Sequence, residues 1–168
     1  MRLLFASLIV IAAAQAAVPK PAKAPRTVDA RQLSVTISQS ATSASPGARL
    51  SLYVDVRPKP TMHVYAPEQA GGYIRIALDL DETKAFRAAA PIFPKASNYY
   101  FEPLKETFKV FNAPFRIRQD ITLAGPAGKR PLTITGTLRY QACDDLVCYR
   151  PDQVRVSWTV APRAAASR

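Results

Sequence analysis

Cysteine, histidine and tryptophan are nearly missing from this chain: two, one and one among 168 residues. A structural zinc site takes four Cys/His ligands, and three candidates do not make one. A hydrolytic triad needs a histidine beside an activated nucleophile, and the single histidine, His63, has no nucleophile elbow or comparable motif around it. No segment shows a convincing helical period, and no arginine-rich or aromatic-interleaved run marks a nucleic-acid binder. Long apolar runs are confined to the start, where Leu3 to Ala14 falls well short of the ~20 residues a spanning helix needs. That opening has instead the order of a secretory signal: Arg2, the apolar run, then Ala14-Gln15-Ala16 as a small-residue cleavage site. The expected mature chain begins after Ala16 or Ala17, is periplasmic or secreted, and has no transmembrane segment. Its cysteines then sit where disulfides persist.

Removing residues 1–16 leaves 22 Lys and Arg against 12 acids, a net charge of +10. These charges are scattered and describe a solvated basic surface, suited to an anionic envelope component or an acidic partner rather than to nucleic acid. Residues 17–31 are rich in proline, alanine and lysine and read as a flexible tether. Residues 162–168 read as a disordered tail. The domain lies between, at residues 32–161, and period-2 alternation dominates it. Leu33, Val35 and Ile37 form one apolar series; Leu50, Leu52, Val54 and Val56 a second; Ile74, Ile76, Leu78 and Leu80 a third; Phe115, Ile117, Ile121 and Leu123 a fourth. The clearest are Leu132, Ile134, Leu138 and Tyr140, then Val154, Val156, Trp158 and Val160. Ser45-Pro46-Gly47, Gly71-Gly72 and Gly125-Pro126 separate them as turns, and Asp81 to Ala90 has room for a helical turn before Pro91 and Pro94. The expected fold is all-β: an immunoglobulin-like antiparallel sandwich of about seven to nine strands.

Both cysteines fall in YQACDDLVCYRP, Tyr140 to Pro151. On the strand before them the apolar residues are even-numbered, so Cys143 is expected to leave it on the polar face. A disulfide between Cys143 and Cys148 closes a loop of four residues, Asp144 to Val147, and contributes only ~2 kcal/mol of chain entropy. A domain of this size folds without such a staple, and exposed pairs of this kind are the exchange-competent ones. Asp144 and Asp145 disfavour a thiolate at Cys143, while Arg150 favours one at Cys148. Cys148 is therefore the candidate nucleophile and Cys143 its resolving partner. Two other readings stand beside this one. An immunoglobulin-like binding module would use the disulfide only to brace a loop, and a copper(I) site would draw on Cys143, Cys148, Met62 and His63. The bland reading of His63 is a strand residue beside Val64-Tyr65.

Tyr140-Gln141-Ala142-Cys143, four residues, then Cys148-Tyr149-Arg150-Pro151 resembles the signature of the N-terminal periplasmic domain of the thiol:disulfide interchange protein DsbD family. TMHVYAPEQAGG (Thr61 to Gly72) resembles that family's H-x-Y strand and loop, and FPKASNYYFEPLKETFKVF (Phe93 to Phe111) its proline-bearing loop and following strand. The resemblance implies a sandwich with the redox pair near one end. It implies electron transfer from a membrane-embedded thiol reductase to thioredoxin-fold envelope proteins through a mixed disulfide at the second cysteine, here Cys148, with no cofactor. It also implies an aromatic cap over the disulfide, for which Tyr99, Tyr100 and Phe101 are the candidates. This chain stops at Arg168, so its donor is expected to act in trans, and Ser97-Asn98 stand where the family's cap carries acids.

Overall fold

Alternating burial turns the apolar series into strands. In the computed structural model, which describes residues 25–102, 104–124 and 130–163, Leu33, Val35 and Ile37 point inward while Ser34, Thr36 and Ser38 stay half-exposed. The expected signal segment, the expected tether up to residue 24, the expected Gly125-Pro126 turn and the expected tail from residue 164 lie outside the described residues. In chain order the strands are β1 (Arg26–Asp29), β2 (Leu33–Gln39), β3 (Ser43–Ala44), β4 (Arg49–Pro58), β5 (His63–Tyr65), β6 (Ala77–Leu80) and β7 (Phe86–Ala88), then β8 (Ser97–Phe101), β9 (Glu106–Phe111), β10 (Phe115–Leu123), β11 (Leu132–Tyr140), β12 (Ala142–Cys143) and β13 (Asp152–Pro162).

Two sheets form the expected sandwich. One has the order β1-β2-β4-β10-β7 and the other β3-β13-β11-β6. All their pairings are antiparallel except that of β3 with β13. Leu52, Val54, Ile117 and Ile121 of the first sheet pack against Ile134, Leu138, Val156 and Trp158 of the second in one apolar core. Burying each such side chain stabilises the fold by roughly 1.5–3 kcal/mol. Polar bonds also join β2 of the first sheet to β13 of the second: Trp158 Nε1 donates to the Ser38 carbonyl at 2.9 Å, and Gln39 Nε2 to the Thr159 carbonyl at 2.9 Å.

A third sheet, β12-β5-β9-β8, stands at one end and carries the cysteines. Its strand β5 is buried on both faces: Val64 belongs to the main core, whereas Tyr65 belongs to a separate cluster with Phe108, Val110 and Cys143. The sandwich thus ends in a small annex with an apolar centre of its own.

Three details depart from the alternation pattern. The end of the presumed tether, Arg26–Asp29, pairs along β2, where Val28 lies opposite Val35 and the Thr27 and Thr36 hydroxyls bond at 3.0 Å. No helical turn forms in Asp81 to Ala90; Phe86 is buried there and sets β7 against β10. The third apolar series begins late, since Ile74 is 45% exposed and the strand starts at Ala77.

Candidate functional site

The long hairpin of β11 and β13 ends at the pair Tyr140–Asp152, and the cysteine segment projects from it. At Gln141 the chain leaves the second sheet. Gln141 Oε1 accepts from the Ile74 amide at 3.3 Å and its Nε2 donates to the Tyr149 carbonyl at 3.0 Å, so one side chain takes over where the ladder stops. The next two residues join β5, with Ala142 opposite Val64 and Cys143 opposite His63.

This change of sheet overturns the expected polar-face position of Cys143. The odd–even register of β11 ends with β11, and both residues of β12 are buried, Cys143 to 2% exposure. Cys148 is exposed. The two cysteines face each other as an antiparallel bridge, joined by a disulfide with Cα atoms 4.0 Å apart. One sulfur is therefore rooted in the annex while its partner belongs to an exposed residue.

The polar side chains nearest the buried sulfur come from β5. Side chains two apart on a strand share a face, so His63 and Tyr65 both turn toward Cys143. Neither disulfide sulfur carries a proton, so the Tyr65 hydroxyl donates to both, at 3.3 Å from Cys148 Sγ and 3.4 Å from Cys143 Sγ. Burial, reinforced by Tyr73 and Glu106, pushes the Tyr65 hydroxyl up to about 12, which keeps it a donor through the neutral range. Burial lowers the His63 imidazole, with Asp145 and Asp144 acting in the opposite sense. Sequence reasoning did not single out Tyr65; its signal was the spacing His63-x-Tyr65 in a short apolar strand.

The loop between the cysteines is set by its own carboxylates. Asp144 Oδ1 accepts from the amides of Leu146 (2.8 Å) and Val147 (2.7 Å), and its Oδ2 accepts from the Tyr149 hydroxyl at 2.7 Å. These bonds hold the Asp144 carboxyl below its ordinary value. Asp145 Oδ1 accepts from the Tyr99 hydroxyl at 2.7 Å, which with burial pushes Tyr99 up to about 12. Arg150 is exposed and makes no ion pair among the described residues. At the loop tip Leu146 is 83% exposed and Val147 52%.

Of the three aromatic candidates on β8, Tyr99 and Phe101 turn inward and Tyr100 turns out, as alternation along a strand requires. The Tyr99 ring lies 4.3 Å from His63, tilted by 37°, and both inward rings pack on the cluster that holds Cys143. The structure thus brings together Cys143, Cys148, Tyr99, Asp144 and Asp145, and adds His63 and Tyr65. Among the described residues no three Cys, His, Asp or Glu side chains are grouped to hold a metal ion, and no helix is long and apolar enough to cross a membrane.

A family model described as thiol:disulfide interchange protein DsbD, N-terminal, matches residues 30–159. No curated protein matches the chain. Among solved structures, the Neisseria meningitidis DsbD N-terminal domain in the reduced form is 17% identical over 72% of this chain and 82% of that one, with a TM-score of 0.43. The N-terminal periplasmic domain of ScsB from Proteus mirabilis is 12% identical, with a TM-score of 0.51, and the match covers 79% of this chain and 49% of that one. The likeness to ScsB is one of fold, and the chain spans about half the length of that domain.

Proposed function

The chain belongs to the family of DsbD N-terminal domains, and on that premise we propose that it is an exported thiol–disulfide interchange module. Its Cys143–Cys148 pair relays reducing equivalents from a membrane-embedded or thioredoxin-like donor to thioredoxin-fold oxidoreductases of the envelope. The observation that carries this reading is the unequal exposure of the two cysteines: Cys148 is open to solvent and Cys143 is 2% exposed.

Exchange is an in-line substitution at sulfur by a thiolate. A donor thiolate attacks Cys148 Sγ, the new S–S bond forms, and the Cys143–Cys148 bond breaks with its electron pair on Cys143 Sγ. The Tyr65 hydroxyl already points at that sulfur and stabilises the charge by a hydrogen bond. The donor's second thiolate then displaces Cys148 from the mixed disulfide, leaving the module reduced. In the forward half, the Cys148 thiolate attacks an acceptor disulfide, and Cys143 closes back onto Cys148 Sγ to release the acceptor as a dithiol. Arg150 favours the Cys148 thiolate through its charge, and Asp144 and Asp145 disfavour charge on Cys143. Exposed Leu146 and Val147 offer an apolar rim for docking, and Tyr99 serves as the cap.

Replacing Cys143 by Ala leaves Cys148 free and removes the resolving thiol. Incubated with an oxidised thioredoxin-fold envelope protein, this variant is expected to accumulate a mixed disulfide through Cys148, read by non-reducing electrophoresis and peptide mass mapping. No adduct with any envelope oxidoreductase would overturn the proposal.

A further inference from the structure

Either sulfur of a disulfide can accept a thiolate, and the outcomes differ. Attack on Cys148 places the mixed disulfide on the exposed residue; attack on Cys143 places it in the annex. Selection between the two therefore needs a barrier on the Cys143 side. From below, that sulfur is covered by β5 and the Tyr65 hydroxyl. Phe108 and Val110 share its cluster, and the Tyr99 ring packs on that cluster 4.3 Å from the ring of His63, the cross-strand partner of Cys143.

Tyr99 sits on β8, the edge strand of its sheet, hydrogen-bonded on one side only, to β9. An edge strand has the fewest bonds to hold a side chain in place. What ties this one down beyond its ladder is the 2.7 Å bond from the Tyr99 hydroxyl to Asp145 Oδ1, inside the disulfide loop itself. Asp145 is in turn fixed by the turn that Asp144 makes with the Leu146 and Val147 amides. The edge strand and the redox loop are thus clasped to each other beside the cluster that holds Cys143.

We infer that the Tyr99–Asp145 hydrogen bond holds the Tyr99 ring over Cys143 and so decides which sulfur is attacked, Asp145 being a positioning residue that acts through Tyr99. This deepens the interchange reading and rests on it. In the protein the thiolate forms its bond to Cys148 Sγ while the electron pair of the broken bond goes to Cys143; loosening the clasp opens the reverse regiochemistry. The charge of Asp145 is not what matters here. An asparagine at the same place keeps an oxygen to accept the tyrosine proton, whereas alanine does not.

The test treats the oxidised exported chain with excess glutathione, quenches with acid and N-ethylmaleimide, and maps which cysteine carries glutathione. In the wild type, in Asp145→Asn and in the outward-facing control Tyr100→Ala, the adduct is expected on Cys148. In Asp145→Ala and Tyr99→Ala the share on Cys143 is expected to rise about tenfold, the upper end of what one lost hydrogen bond is worth. Adducts confined to Cys148 in both alanine variants would overturn the clasp and leave the interchange reading standing. Equal shifts in Asp145→Asn and Asp145→Ala would overturn it in favour of a charge effect. No adduct on either cysteine in any variant would overturn the interchange reading itself.

Discussion

His63 and Cys143 stand opposite each other in the antiparallel pairing of β5 with β12. An imidazole is thereby buried beside the rooted sulfur, at 3% exposure, under the ring of Tyr99. Burial disfavours its charged form, so its folded value lies below the ordinary 6.5 despite the opposing pull of Asp145 and Asp144.

A pH dependence follows with a definite sign. Below 6.5 the unfolded chain takes up a proton at His63 that the folded chain resists, so folding stability is complete above 6.5 and falls as pH drops toward the depressed folded value. Denaturant unfolding between pH 7 and about 5 is expected to show this slope, and His63→Gln to flatten it, whatever that variant does to absolute stability.

Tyr65→Phe removes the donor shared by both sulfurs and changes little else in volume. A hydrogen bond to a thiolate is stronger than one to a disulfide sulfur, so its loss penalises the reduced form. The reduction potential is expected to become more negative by about 30 mV, equivalent to about 1.4 kcal/mol for a two-electron couple. Equilibration with a glutathione redox buffer measures it, and a potential within a few millivolts of the wild type would remove Tyr65 from the mechanism.

Reducing the disulfide is expected to cost about 2 kcal/mol, the chain entropy of so short a loop, and to leave one cooperative unfolding transition. The two main sheets share a core that contains neither cysteine, which is why they stand without the bond. Loss of cooperative folding on reduction would favour the loop-bracing reading instead.

Gly136→Ala probes the second sheet. A Cβ there would meet the Asp79 carbonyl oxygen at 2.7 Å and Leu80 Cα at 3.2 Å, both on β6, where backbone cannot step aside. Overpacking of this kind costs about 1–3 kcal/mol. Gly72→Ala, whose Cβ would have no atom within 4 Å, is the matched control and is expected to stay within about 0.5 kcal/mol. Thermal melts of the two variants decide the point.

The long strands were legible because each is half-buried, so Leu50 to Val56 and Leu132 to Tyr140 print their faces directly as odd and even positions. Strands of two to four residues, such as β1, β3, β7 and β12, are too short to show a period and exist because a neighbour pairs with them. They bring the strand total to thirteen among the described residues. Cys143 shows the cost of extrapolating a register: alternation is a property of one sheet, and the chain changes sheets at Gln141. Val64 and Tyr65 look like one apolar edge in sequence, yet they serve two separate clusters, a division that only tertiary placement creates. The adjacency of Tyr99 and Asp145, 46 residues apart, has no local signal at all.

Tyr140 and Asp152, which bound the cysteine segment, are already neighbours in the ladder of β11 and β13. Whatever runs between them is an excursion whose two ends meet regardless of its content. The side chains at its exposed tip, Leu146 and Val147, are accordingly free to drift without disturbing the framework that presents them. The framework closes at that rung, and β12 roots the chemistry in the annex beyond it.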